Sequence, residues 1–285
     1  MQTVGLEVLL TEIDSKRENL ITTLAKKLYW SLPPNVFCAA FNLRRIWLRS
    51  PIRLTPHSDR RIFKIFDGDC GLAWHSHRDR LTLYSEGLVF RANQIADAYG
   101  LKDLELNNGD LVIDCGANLG DLQLYLKLIK NVEIIYVAFE PSRLDFLCLD
   151  NNRLFPGNIY NFALFNSNSM IDFYIDIAGA NSSAIEPPSF TDKVKVKSVR
   201  LDSFIFDQKI ALFKVEAEGA EPEVLEGSSG IIHLIKYLCI DAGPERGVNK
   251  EFTLGDVEAF CIAHNFQAIG KQSGYRRAFL NRSWK

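Results

Sequence analysis

The run Leu111-Val112-Ile113-Asp114-Cys115-Gly116-Ala117-Asn118-Leu119-Gly120-Asp121 restricts the fold of this chain more than any other stretch. A short apolar segment leads into an acid, two glycines follow, and an amphipathic helix pattern begins at Leu122-Gln123-Leu124-Tyr125-Leu126. Such a segment reads as a buried parallel strand, and glycines directly after it permit a tight turn into the next helix. They also let a ligand lie against bare backbone with the helix N-terminus behind it. Further on, Ile134 to Phe139 reads as a second strand and ends in Glu140-Pro141. An acid at the end of the second strand hydrogen-bonds ribose hydroxyls in doubly wound nucleotide-binding folds, so the expected ligand is a nucleoside derivative. The competing reading is a tight strand-to-helix turn with no ligand.

The spacing narrows the choice of nucleoside. A dinucleotide fingerprint is G-x-G-x-x-G, but here Asn118 stands where the middle glycine would let a pyrophosphate approach. The run Asp114 to Gly120 resembles the first motif of S-adenosylmethionine-dependent methyltransferases, and in its D-x-G-A-N-x-G form it resembles the FkbM family. A second run, Leu212-Phe213-Lys214-Val215-Glu216-Ala217-Glu218-Gly219-Ala220-Glu221, resembles the family's L-K-I-D-V-E-G-A-E motif, with Glu216 in place of its aspartate. Leu225-Glu226-Gly227, Glu140-Pro141 and Asn152 fit as well, so the resemblance covers about residues 110 to 230.

The 285 residues suffice for one large domain, or one with an appendage. A formal net charge of -2 gives no general reason to expect nucleic acid or an anionic membrane. Cys38, Cys70, Cys115, Cys148, Cys239 and Cys261 form no C-x-x-C pair, and several sit in apolar patterns. With no signal peptide pattern, a reducing cytoplasm is the expected compartment. No apolar run is long enough to span a bilayer.

From about residue 5 to 30 the apolar spacing is helical, and Pro33-Pro34 breaks it. Val36 to Leu48 is apolar, aromatic and basic. Such a segment can touch a membrane surface peripherally, cover the core as a helical arm, or pair two copies as a homodimer; Glu12, Asp14 and Glu18 dilute its positive character. Residues 55–108 read as a small β/α cap: Arg61 to Phe66 alternates, Asp67-Gly68 is a turn, Leu81 to Tyr84 alternates again, and Leu88 to Tyr99 is a helix ended by Gly100. The expected division is therefore a helical arm over 1–54, the cap over 55–108 and a Rossmann-like domain over 109–285.

In that domain strand and helix alternate, which predicts a parallel sheet. Ser142 opens a helix to about Asn152; Ile159 to Leu164, Ile210 to Val215 and Lys236 to Ile240 are further core strands. Ile171 to Ile175 and Val194 to Val199 are β-like, around a loop with Gly179, Asn181, Ser182 and Ser183. Asp256 to His264 reads as a helix, and Phe266 to Ile269 with Arg277 to Leu280 as a closing hairpin. The expected fold is α/β: a class I methyltransferase, Rossmann-like and doubly wound. Its sheet is mostly parallel, with a C-terminal antiparallel hairpin and an N-terminal helical and β arm.

Ligands of open α/β sheets bind past the carboxyl ends of the strands, which singles out Asp114 to Gly120, Glu140, Ala163, Glu216 to Glu221 and Asp241. The resemblance implies S-adenosylmethionine as cofactor and S-adenosylhomocysteine as product. It implies that Gly116, Ala117, Asn118 and Gly120 wrap the methionine end and that Asp114 organises the turn. Glu140, with Pro141 and Ser142, then takes the ribose, and residues near Ala163 edge the adenine. Tyr84 and Arg91 stand where the family has a tyrosine and an arginine, either of which can reach the cofactor carboxylate. A hydroxyl acceptor needs a base within reach, and Glu216, Glu218 and Asp241 are the candidates. A divalent metal bridged by Glu216 and Asp241 is the alternative activator. Glu221 reads as a first-turn helix glutamate and Glu218 equally as an anchor of that helix. His75 and His77, on one strand face, read as a pair in an acceptor or surface role.

The resemblance implies O-methyl transfer to a hydroxyl of a sugar, glycan or related small-molecule acceptor. A non-catalytic S-adenosylmethionine-binding scaffold, kept open by Glu216, and a nucleic-acid methyltransferase are the alternatives. Nucleic acid is disfavoured by the near-neutral charge, and a dehydrogenase is the weakest competitor.

Overall fold

The computed structural model describes residues 28–29, 31–59, 61–176 and 181–284. The expected first helix lies almost wholly outside them, as does Gly179.

Five mainly apolar parallel strands make the centre of the molecule. They are β4 (Leu111–Cys115), β5 (Ile135–Phe139), β6 (Ile159–Tyr160), β10 (Ile210–Val215) and β11 (Ile235–Asp241). Every residue of β4 and β10 is buried, as befits a sheet covered on both sides. The seven-stranded order is β12-β13-β11-β10-β4-β5-β6, with β12 (Phe266–Ser273) and β13 (Arg276–Asn281) as the antiparallel closing hairpin. The chain runs from β4 outward through β5 to β6, then returns to β10 on the other side of β4. The β4/β10 boundary is thus the switch point, where loops leave in opposite directions and open a crevice. The expected doubly wound sheet and its C-terminal hairpin are as observed.

Ile159 to Leu164 is not one strand. Ile159–Tyr160 pairs with β5, and Ala163–Leu164 (β7) pairs instead with β9 (Asp192–Val199). β9 also pairs antiparallel with β8 (Ser169–Ile175), making a separate three-stranded sheet in the order β7-β9-β8. Asn161 causes the break: its side-chain amide donates to the carbonyls of Glu140 (2.8 Å) and Pro141 (3.0 Å), which turns the chain between the two pieces.

Before the main sheet, α1 (Pro34–Trp47) packs on an antiparallel sheet of β1 (Ile52–Pro56), β2 (Phe63–Asp67) and β3 (Gly71–His75). Phe37, Cys38 and Phe41 of the helix share a cluster with Ile52, Leu54, Phe63 and Ile65. The inner face of α1 is therefore a packing face. The expected arm/cap boundary at 54/55 falls inside β1, so helix and strands form one unit. Leu81 to Tyr84 is not a strand: Arg78–Tyr84 is a 3₁₀ helix, whose period of three places Leu81 and Tyr84 on one buried side. The second hairpin arm is β3. The helix α2 (Leu88–Tyr99) ends at Gly100 as expected; its length packs in the main core with Val112, Leu212 and Cys239, while Leu88 at its start joins the cap cluster.

Asn152 joins cap to core. Its side-chain oxygen accepts from Trp74 N (2.7 Å), and its amide donates to the carbonyls of Trp74 (2.9 Å) and Leu119 (2.9 Å). No helix among the described residues is long and apolar enough to cross a membrane.

Candidate functional site

A cavity of about 190 Å³ opens at the switch point, over the carboxyl ends of β4, β5 and β10. Its floor is an ion-paired lattice. Asp114 and Lys214 are register partners on adjacent strands. The Lys214 ammonium donates to Asp114 (3.0 Å) and to the Gly116 carbonyl (3.2 Å), and pairs with Glu216 at 3.0 Å. The Tyr136 hydroxyl donates to the other Asp114 oxygen at 2.5 Å. Burial pushes the Asp114 carboxyl up, opposed by Lys214 and Tyr136. Burial would discharge Lys214, but Asp114 and Glu216 outweigh it and hold the ammonium firmly charged. Sequence reasoning matched Lys214 to a motif without giving it this work.

After β4 the backbone enters the left-handed region at Gly116 (φ 65) and Asn118 (φ 50). Only glycine fits at 116, because a Cβ there would lie 1.8 Å from the Glu216 carbonyl oxygen. Asparagine tolerates the same region at 118, and its backbone N–H donates to Glu140 Oε2 at 2.8 Å. The other Glu140 oxygen accepts from Ser142 N at 2.7 Å. Burial, then the nearby Asp145, pushes the Glu140 carboxyl up to about 8. Asp114, Gly116, Ala117, Asn118, Glu140, Pro141, Ala163 and Arg91 all line the cavity.

Three residues expected at the ligand do not line it. Gly120 (φ 89) precedes helix α3 (Asp121–Tyr125), whose Asp121 and Leu122 line the cavity in its place. Ser142 precedes α4 (Arg143–Asn151), and its backbone holds Glu140 instead. Tyr84 is buried and gives its hydroxyl to Asp121, to which Arg91 also bonds at 2.7 and 2.6 Å. The tyrosine thus orients the arginine from behind.

The three candidate bases separate. Asp241 does not line the cavity: its carboxylate meets Arg276, its register partner on β13, at 2.6 Å, and Arg276 is the residue that faces the cavity. Glu216 lines it as a fixed anion. Burial would raise its carboxyl, but Lys214, Arg276 and Tyr99 bring it down to about 2. Glu218 has the opposite environment. Burial first, then Glu245, Glu216, Glu221 and Asp241, hold its carboxyl well above the usual range, and among the described residues its buried Oε2 has no hydrogen-bond partner. It sits in the left-handed region (φ 51), which costs a non-glycine residue about 1 kcal/mol.

The surrounding loop offsets that cost. Ser183 Oγ donates to the Glu218 carbonyl at 2.6 Å, and Arg246 donates to the Gly219 carbonyl at 2.7 Å while pairing with Glu223. Glu221 is fully buried. It accepts from the backbone of Ala217 (3.0 Å) and Gly219 (3.1 Å) and from Thr253 Oγ1 (2.9 Å), so it latches the loop rather than merely facing a helix dipole.

The cation positions at Glu216 and Asp241 are taken by Lys214 and Arg276. Among the described residues no group of three or more His, Cys, Asp or Glu side chains is placed to hold a metal. The donor set thus does not fit the metal alternative. His75 and His77 are buried, not at the surface; His77 pairs with Asp145 at 2.7 Å, and burial drives the His75 imidazolium well below its ordinary range. Tyr99, Gln94 and Arg276, which also line the cavity, went unrecognised in the sequence. Arg276 had a signal: antiparallel pairing of the closing hairpin with β11 sets it opposite Asp241.

A family model described as "Methyltransferase FkbM domain" matches residues 114–260. No curated protein matches the sequence. Among solved structures, a methyltransferase FkbM from Methylobacillus flagellatus aligns with 13% identity and a TM-score of 0.48, covering 71% of this chain and 52% of that one. The chain thus spans about half the length of that protein. A SAM dependent methyltransferase from Aquifex aeolicus gives 12% identity and 0.39, with 71% and 91% coverage. M. capricolum TrmK in complex with S-adenosyl-homocysteine gives 12% and 0.38, with 68% of each chain covered.

Proposed function

The chain belongs to the FkbM methyltransferase family, and on that premise we propose that it is an S-adenosylmethionine-dependent O-methyltransferase for a hydroxyl of a sugar, glycan or related metabolite. The observation that carries the hydroxyl reading is the buried Glu218 Oε2, without a hydrogen-bond partner among the described residues, on the cavity that Glu140 also lines. An unsatisfied carboxylate oxygen is costly to keep buried, and an acceptor hydroxyl is the donor that would satisfy it.

The residues present fit the cofactor. The 116–118 turn offers bare backbone, Glu140 faces the cavity with acceptor capacity for ribose hydroxyls, and Ala163 and Leu164 form an apolar edge. When bound, the cofactor supplies a methyl group on a sulfonium, which is already an activated leaving arrangement. The protein's work is then positioning and proton transfer. Lys214 and Asp114 fix the floor, and Glu216 stays ionised in a pocket that receives a cation. Glu218 accepts the proton of the acceptor oxygen as that oxygen attacks. Because its carboxyl is held high, the base form is gained as pH rises, and turnover should rise with pH until Glu218 is ionised.

The experiment is transfer of labelled methyl to a panel of sugars and glycans by wild type and Glu218→Gln. The variant should bind S-adenosylhomocysteine normally, lose about 10²-fold or more in kcat, and lose the alkaline rise. Equal kcat in both proteins would remove Glu218 as the base. Normal product binding with no transfer to any hydroxyl would overturn the O-methyl reading.

A further inference from the structure

Beside the cavity of the proposed methyl transfer lies a second one of about 850 Å³. The two share Pro141, Asp145 and Ser182 as lining residues, so they meet there. One wall of the larger cavity is the first turn of α4, another is β9, and a third is the 76–79 segment before the 3₁₀ helix. This volume is in the range of small-molecule sites, and too small for a nucleic-acid duplex.

Its charge differs from that of its neighbour. Arg61, Arg78, Arg143, Lys195 and Lys197 line it, against Asp79, Asp145 and Asp192. Several of these charges are already matched: Arg61 with Asp59 at 2.9 Å, Lys195 with Asp172 at 2.8 Å, and Asp145 with His77 at 2.7 Å. Arg78 is held over the Phe37 ring at 4.0 Å, beside Asp79. Of the anions Asp192 remains, at the start of β9; of the cations, Arg143 and Lys197 remain. Both are exposed, neither has a carboxylate partner among the described residues, and they stand on different walls, α4 and β9. Lys197 rests on the Phe162 ring, at 4.2 Å. A guanidinium and an ammonium on two walls of one cavity suit a phosphate, which offers several acceptor oxygens at once.

We propose that this cavity seats the acceptor, and that the acceptor is a phosphorylated sugar whose phosphate is held by Arg143 and Lys197. The acceptor role rests on the methyl-transfer reading above; the phosphate site does not. The sugar ring would enter on the Ser182 side of that junction toward Glu218, whose loop is held there by the bond from Ser183, leaving Glu140 and Pro141 to the cofactor ribose.

The test is a titration of the full chain, saturated with S-adenosylhomocysteine, with glucose 6-phosphate, inorganic phosphate and glucose, followed by NMR. Both phosphates should bind, and glucose should bind at least about tenfold more weakly than its phosphate. The double variant Arg143→Ala/Lys197→Ala should weaken the phosphates about tenfold or more, while Arg44→Ala, outside the cavity, should not. S-adenosylhomocysteine affinity, measured separately, should be unchanged in every variant and so reports that the fold is intact. Equal binding of glucose and its phosphate, or equal binding by wild type and double variant, would overturn the proposal. So would binding of a short single-stranded RNA through these two residues when neither phosphate binds. Phosphate binding without S-adenosylhomocysteine binding would overturn the methyl-transfer reading and the acceptor role with it.

Discussion

Lys214 is the side chain on which most of the site's electrostatics depends. It satisfies Asp114, Glu216 and the Gly116 carbonyl at once, while almost wholly buried. Removing one partner of a buried pair costs about 3–5 kcal/mol, so Lys214→Met should lower urea-unfolding stability by that amount at neutral pH. The sign with pH follows from the charge left behind. Asp114, already raised by burial, would be raised further without Lys214. Its cost would therefore grow as pH climbs above the unfolded value of about 4 and shrink in acid. A deficit that is constant from acid to neutral pH would contradict this. Glu140 gives a second residue-scale test. Its carboxyl is raised to about 8, and the ionised form is the better acceptor for ribose hydroxyls. S-adenosylhomocysteine affinity should therefore increase with pH through that region, and Glu140→Gln should flatten the dependence. Asp114, Gly116, Glu140 and Glu218 were legible in the sequence because each belongs to a short local pattern. Tyr84, Ser142 and Asp241 show the limit of such patterns: a motif places a residue near a turn, but neighbours on other strands decide where its side chain points. Asp241 meets Arg276 across strands, and Tyr84 is spent on Asp121.

Among the elements, the two strand-end loops act as one unit, because the backbone of Gly116 is pressed on Glu216. Gly219 repeats the device against Arg246, whose Cα would be 2.6 Å from a Cβ at position 219 (φ 97). Gly219→Ala should thus separate the Glu218 loop from the 243–246 segment. We expect about 1–3 kcal/mol of lost stability and a larger relative loss of turnover than of S-adenosylhomocysteine affinity. Loss of both in equal proportion would show that the loop supports the donor site rather than Glu218. The long β-strands and helices were readable from apolar spacing, since β4, β10 and β11 are buried on both faces. The errors fell where spacing was short. Leu81 to Tyr84 fits both a strand and a 3₁₀ turn over four residues, and the break at Asn161 depends on the carbonyls of Glu140 and Pro141, distant in sequence just past β5.

For the molecule as a whole, the doubly wound sheet supplies the crevice and the cap closes one flank, fastened through Asn152. The order of strand and helix made that sheet legible. The cap was less so, because its three short strands and α1 are joined by tertiary packing that no periodicity announces. The most direct measurement is calorimetric titration of S-adenosylhomocysteine into wild type and Glu140→Ala, with thermal unfolding of both. Wild type should bind, and the variant should remain folded while binding about tenfold or more weakly, a loss of about 1.4 kcal/mol or greater. A folded wild-type protein that takes up no S-adenosylhomocysteine would contradict the assignment of the β4/β10 crevice as the donor site.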